Sequence, residues 1–227
     1  MANYFDLLTV AQKNNIGVII HDLRSKGVNN MYAEAGVLSV VSKESLFIPK
    51  FEKGYQNTAN DRIRSIFGKY VSGLSEEELT ALKADEVAFF NKVYGGRYGN
   101  GPDEGWKFRG GGLNQITFKN NYALASIDTG VDLIKNPERI NEMPIAAGAL
   151  RGYFVRSFTK APKDILLHYS TSGLNDFKSL DDAVKAIYHA NAGWGKTYAA
   201  LEADKTGGRK KALERAPGFL EIVKKTL

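Results

Sequence analysis

The chain has 227 residues, a formal net charge of +6 and no cysteine. That length suffices for one sizeable domain, and the lack of cysteine excludes a disulfide framework and a thiolate metal centre. A basic surface attracts polyanions such as nucleic acid, anionic lipid or bacterial wall, but no RNP, zinc-finger or basic-zipper pattern is present, so nucleic acid is not expected as a partner. The opening MANYFDLLTV lacks the basic stretch and long apolar core of a secretory signal. No later apolar run is long enough to span a bilayer. Accumulation in the cytosol of the producing cell, without stable membrane insertion, is therefore expected. Three scattered histidines give no metal cluster, and neither a metal nor an organic cofactor is predicted. No composition break marks a linker, so residues 1–227 read as one domain.

Residues 4–26 are predicted as a helix, with Phe5, Leu8, Ile16, Ile19, Ile20 and Leu23 at roughly helical spacing. Lys26 and Gly27 close it. A second helix over 29–45 opens at Asn29 or Asn30, with Val37, Val40 and Val41 as its apolar stripe. Glu44 extends that stripe, since side chains three and four apart share a helix face. A carboxyl on the core side, at a helix C-terminus, is disfavoured as an anion by burial and by the helix dipole. Both effects raise a carboxyl pKa, which is what a glycosidase acid requires. The plain alternative is a surface Glu44 that turns to solvent or pairs with Lys43 or Lys50.

Residues 46–61 read as a loop from their Pro, Gly and Asn content. Glu52 lies in it, with Tyr55 and Asn57 close behind. A loop glutamate between Lys50 and Lys53, as Glu52 is, is more often a plain surface residue. Arg62–Phe67 reads as one or two helical turns. Ser75 to Glu78 forms a capping box that opens a helix to about Val93. The acidic cluster Glu76–Glu78 suits a helix N-terminus and is read as structural.

Residues 94–122, YGGRYGNGPDEGWKFRGGGLNQITFKNNY, are rich in glycine, aromatics and arginine. Leu113 to Thr117 alternates apolar and polar, which predicts a brief strand with Asn114 on its wet face. Glycine permits close backbone approach, and tyrosine, tryptophan and arginine supply flat faces and fixed donors. The stretch reads as a polar, aromatic-rimmed cleft for a hydroxyl-rich ligand such as a glycan, or as a long Gly-rich surface loop. Helices then follow from Pro144 to about Phe158 and from Ser179 to Tyr188. Residues 196–226 read as helical, interrupted at Gly207-Gly208 and at Pro217, and are locally basic.

The segments Tyr94-Gly-Gly-Arg97, Gly99-Asn-Gly101, Gly105-Trp-Lys-Phe-Arg-Gly110, Gly112-Leu-Asn-Gln-Ile-Thr117 and Asn121-Tyr122 resemble the signature of glycoside hydrolase family 19. Gly130 to Glu138 and the Ala146-Ala147 helix resemble it too, and the likeness extends over about 28–195. That family holds plant-type chitinases and many phage endolysins. The resemblance implies a mainly α, lysozyme-like domain with a small β-hairpin by the cleft. Ser42-Lys43-Glu44-Ser45-Leu46-Phe47 stands where the family has its acid motif, with Lys43 in place of a histidine and Leu46 in place of a glycine pair. Gly111 replaces the second arginine of the family's RGRG, and Ala192 replaces a glycine after Asn191.

The resemblance implies Glu44 as general acid and Glu52, eight positions on, as the second carboxylate. In an inverting glycosidase the two carboxyls stand about 6.5–9.5 Å apart. Thr117 is implied to hold the attacking water, although it also reads as a helix N-cap for residues 118–126. Gln115, Asn121 and Asn191 are implied to line the cleft. Tyr55, Asn57, Tyr94, Arg97, Trp106 and Asn114 complete the predicted binding set, although Tyr55, Tyr94 and Trp106 each read individually more readily as partly buried core. The implied function is hydrolysis of β-1,4 bonds in the glycan strands of peptidoglycan by a monomeric endolysin, released to the wall at lysis. A chitinase, and a non-catalytic glycan-binding phage component, are the alternatives.

Overall fold

The structure, a computed structural model, describes residues 4–203 and 207–226. Eleven α-helices make up the described chain, with short 3-10 turns between some of them. The first helix, α1 (Val10–Ser25), follows a separate 3-10 turn at Tyr4–Leu7. The single helix expected over 4–26 is therefore two pieces. Thr9 explains the break: its hydroxyl accepts from the Gln12 amide while Gln12 reaches back to the Thr9 amide, a complete capping box.

Helix α2 (Met31–Glu44) is capped by Asn30, whose side chain accepts from the Tyr32 and Ala33 amides. It is buried from Ala33 through Ser42 because α9 (Leu180–Ala192) and α11 (Gly208–Lys225) pack against it. Its polar residues are satisfied internally. Ser39 and Ser42 donate to the carbonyls of Ala35 and Ser39 at 2.6 and 2.7 Å. Glu34, 1% exposed, takes a two-pronged grip from Arg24. A Cβ on Gly36 would stand 2.7 Å from the Ile187 side chain, so glycine there lets α2 and α9 approach closely.

Three short helices follow: α3 (Asn60–Phe67), α4 (Glu76–Ala84) and α5 (Glu86–Tyr94). The one helix expected from Ser75 to about Val93 is broken at Asp85, which is extended and caps α5 through the Ala88 amide. Helix α6 (Lys119–Thr129) ends at Gly130 in the left-handed region. Its N-cap is Phe118, not Thr117; the Thr117 hydroxyl donates instead to the Gln115 carbonyl at 3.0 Å. Helices α7 (Met143–Thr159), α8 (Lys163–His168) and α10 (Tyr198–Glu202) complete the set.

Helix α9 runs past Tyr188 to Ala192, which puts Asn191 on its last turn. Helix α11 is not interrupted at Pro217, which lies within it. Gly207, in the left-handed region, precedes its first residue, Gly208. Residues 204–206 of the helical stretch expected over 196–226 lie outside the described residues.

The expected β-hairpin is absent among the described residues. What forms is one antiparallel bridge, with Gly111 and Ile116 exchanging amide bonds of 3.0 and 2.8 Å. The reason is conformational. Gly112, Gln115 and Phe118 have φ of 76, 56 and 76°, so the chain turns left-handed three times within seven residues and leaves no run of extended backbone.

The largest core cluster joins α1, α2, α7, α9 and α11. Phe108, Ile116, Tyr122 and Ile140 belong to a second, which Phe51 flanks. Ile63, Phe67, Phe89, Phe90 and Val93 belong to a third, against which Tyr55, Tyr94 and Trp106 pack. Phe51 and Tyr55 thus anchor the two ends of the loop segment that carries Glu52.

Candidate functional site

Glu52 is fixed from several segments. Its backbone amide donates to the Gly110 carbonyl at 2.7 Å, and Lys50 donates to Gly112 at 3.5 Å. The loop therefore lies alongside the glycine run. The carboxylate accepts from the Tyr55 hydroxyl at 2.6 Å and from the Tyr94 hydroxyl at 3.1–3.2 Å. The Gly110 amide adds a longer contact of 3.4 Å. Burial, then the adjacent Glu52 charge, pushes both phenols well above their ordinary pKa. Both stay protonated and remain donors. A Cβ on Gly110 would stand 3.2 Å from the Glu52 carboxylate and 3.0 Å from the Gln115 amide oxygen. Glycine there lets the backbone amide face the acid.

Glu52 opens on a cavity of about 480 Å³ whose lining includes Asn57, Trp106, Arg109, Glu86 and Lys53. Arg109 lies between two rings, its guanidinium carbon 3.4 Å from the Trp106 centroid and 4.1 Å from that of Phe51. It donates to the Trp106 carbonyl at 2.7 Å, and burial lowers its pKa. The rings of Tyr55 and Tyr94 pack among Phe67, Phe89 and Phe90. Only their hydroxyl ends serve the site. Sugar stacking on those rings would require the aromatic core to open.

A second cavity, of about 210 Å³, gathers Asn114, Gln115, Thr117, Asn121 and Asn191 with Tyr153. Its wall is rich in amides. The Asn114 side-chain oxygen is buried without a partner among the described residues. Asn121 donates to the Thr117 carbonyl at 2.8 Å, and Tyr153 donates to the carbonyls of Ala190 and Asn191 at 3.0 and 3.4 Å. Gln115 links the cavities, because its amide donates to the Lys50 carbonyl at 2.9 Å on the Glu52 loop.

Glu44 lies on the last turn of α2 and lines neither cavity. Its side chain is 20% exposed and accepts from Lys43 at 2.9 Å. The pairing with Lys43 weighed from the sequence is thus the contact present. Arg97 also lines neither cavity. Its guanidinium lies over Tyr70 and Phe118 at 4.1 and 4.9 Å, and it donates to the Val93 carbonyl at 2.6 Å.

Sequence reasoning left out Arg109, Glu86 and Tyr153. Arg109 stands in the very motif that carried the resemblance, three residues after Trp106, a spacing that signals a stacked pair. Glu86 and Tyr153 face their cavities through tertiary packing, with no local signal. Among the described residues no group of three or more His, Cys, Asp or Glu side chains is placed to hold a metal ion. No helix among the described residues is long and apolar enough to cross a membrane.

No family model matches the chain. Part of it is similar to a glycosyl hydrolase family 19 domain-containing protein of Haemophilus influenzae, 56% identical over 52 residues. That match takes in 21% of this chain and 26% of the relative, so about three quarters of the relative has no counterpart in the alignment. The resemblance to glycoside hydrolase family 19 is therefore carried by a curated relative over a short stretch.

Proposed function

We propose that the protein hydrolyses β-1,4 bonds in the glycan strands of peptidoglycan, as an endolysin does. In this reading Glu44 gives its proton to the glycosidic oxygen as the bond to the anomeric carbon breaks. Glu52 takes a proton from a water whose oxygen attacks that carbon from the opposite face. Thr117 orients the water, and the amides of Asn114, Gln115, Asn121 and Asn191 hold the N-acetylated sugars.

The observation that carries the reading is the Glu52 carboxylate, held by the Tyr55 and Tyr94 hydroxyls at the wall of an open polar cavity. A carboxylate oriented by donors yet open to a cavity supports the role of proton acceptor from water. The net charge of +6 favours an anionic wall over neutral chitin. One observation favours a different reading, a glycan-binding protein without catalysis: Glu44 is paired with Lys43 and lines neither cavity.

The test is turbidity loss of outer-membrane-stripped bacterial cells, comparing the parent with Glu44→Gln. Lysis by the parent alone, with both proteins folded by circular dichroism, supports the acid and the wall substrate. Equal lysis by both removes Glu44 from the mechanism. If the parent lyses no cells, release of sugar from colloidal chitin marks a chitinase. Pelleting with either polymer without cleavage marks the binding-only reading.

A further inference from the structure

The corner just after Glu44 is built in an unusual way. Leu46 and Phe47 are consecutive non-glycine residues with φ of 54 and 62°, a region that side chains with a Cβ disfavour. Such a backbone persists only where its surroundings hold it. Here two side chains of α1 do so. Gln12 donates its amide to the Leu46 carbonyl at 2.9 Å, and Asn15 donates to the Phe47 carbonyl at 2.8 Å. From below, the buried Phe47 ring meets Phe219 edge to face, with centroids 5.5 Å apart. From within, the Ile48 amide closes back on Ser45 at 3.1 Å.

The corner joins two fixed ends. Behind it is the last turn of α2 with Glu44. Ahead of it, Lys50 and Glu52 are tied to Gly112 and Gly110. Leu46 itself is 45% exposed, so its own burial does not account for the left-handed backbone. The two amide donors from α1 and the neighbouring Phe47 anchor do.

We propose that Gln12 and Asn15 are positioning residues for the Glu44–Glu52 pair. By gripping successive carbonyls they hold the left-handed corner that sets where the Glu52 loop leaves α2. This rests on the reading of those two glutamates as acid and base. Neither α1 residue lines either cavity.

Gln12 also serves the α1 capping box through its side-chain oxygen, so truncation to alanine would confound the test. Gln12→Glu and Asn15→Asp keep shape and acceptors while removing the amide donors. On purified peptidoglycan and colloidal chitin, each variant is expected to lose about tenfold in kcat, with KM within about twofold, because small misplacement of catalytic groups is costly. Adding Leu46→Gly, which removes the strain at one of the two left-handed residues, is expected to restore most of that loss, and unfolding midpoints measured alongside separate this rescue from general stabilisation. Glu52→Gln is measured alongside. Clamp variants with parental kcat beside an inactive Glu52→Gln overturn the positioning role alone, as does a kcat loss that Leu46→Gly leaves untouched. A parent that cuts neither polymer, or a Glu52→Gln as active as the parent, overturns the acid–base reading and the positioning role with it.

Discussion

Glu52 and Glu44 are eight positions apart in sequence, yet the protein treats them differently. Glu52 is held by hydroxyls from two separate segments, with the Gly110 backbone close by. Glu44 has a flexible neighbour, Lys43, as its ion partner, and both are partly exposed. The first arrangement needs the fold: a loop, α5 and the glycine run must all arrive together. The second needs only one turn of helix. A carboxylate held by the tertiary structure is oriented before any ligand arrives, whereas one held by an adjacent lysine is free to change partners. In the proposed chemistry the base must be ready for a water, while the acid must exchange an ionic partner for a glycosidic oxygen. The Glu52 environment suits the first task, while the Lys43 pairing of Glu44 is the feature that favours the binding-only reading.

The sharpest way to break this comparison is Glu52→Gln. The amide keeps the shape but cannot take a proton, so activity on cell-wall glycan is expected to fall by about 10²–10⁴-fold, the range for a lost acid–base group. An active variant would make Glu52 a structural residue. Next come Tyr94→Phe and Tyr55→Phe. Each keeps the ring in the aromatic cluster and removes one donor to the carboxylate. A hydrogen bond to a charged group contributes about 1.5–3 kcal/mol to stability, so each is expected to lower the thermal unfolding midpoint by several degrees and, by loosening the carboxylate, to lower activity by about tenfold. If unfolding shifts and activity does not, the phenols serve the core alone.

Lys43→Met tests the other side. The Lys43–Glu44 pair is partly exposed, with side chains 30% and 20% accessible, and such pairs contribute about 0–1 kcal/mol. Activity is expected to change by less than about fivefold. A loss as large as that of Tyr94→Phe would show that Lys43 orients Glu44 as firmly as the phenols orient Glu52.

How much of this was legible beforehand follows from the range of the forces involved. Helix caps at Asn30, Ser75 and Ser179 are local hydrogen bonds, and they stand where the sequence puts them. Thr9 and Asp85 are equally local, but an apolar periodicity running across them hid the breaks they cause. The alternation at 113–117 predicted a strand, and left-handed backbone at Gly112, Gln115 and Phe118 cut it to one bridge. Alternation reports which side chains are buried, not whether the backbone is extended. At the candidate site, Glu52, Asn57 and Trp106 do share a cavity, and the amides around Thr117 share another. The phenol grip on Glu52 was hidden, because Tyr94 lies 42 residues from it in the chain.

The smallest expected effect concerns the far wall. Asn191 lies two residues after His189, which is fully buried and bonded at both ring nitrogens, to the Tyr169 hydroxyl at 3.1 Å and the Lys196 carbonyl at 2.9 Å. The carbonyl can only accept, so Nε2 carries the proton and Nδ1 accepts from the phenol. Burial, with the nearby positive charge of Arg209 and the influence of His168 adding to it, lowers the His189 pKa in the folded protein despite the carbonyl bond. In the unfolded chain the ring takes a proton near its ordinary value of about 6.5. Above that pH both states are neutral and the full stability is present. As the pH falls below it, the unfolded state binds the proton first, so stability declines until the native ring also protonates. Urea midpoints measured from pH 8 down to 5.5 are expected to fall for the parent and to flatten for His189→Gln, whose amide can still donate to the Lys196 carbonyl. If the midpoints of both fall in parallel, another group is titrating. If the parent's activity declines over the same window while the His189→Gln variant's activity holds, the acid limb of the pH profile belongs to the Asn191 wall, and the two glutamates would have to be compared in that variant.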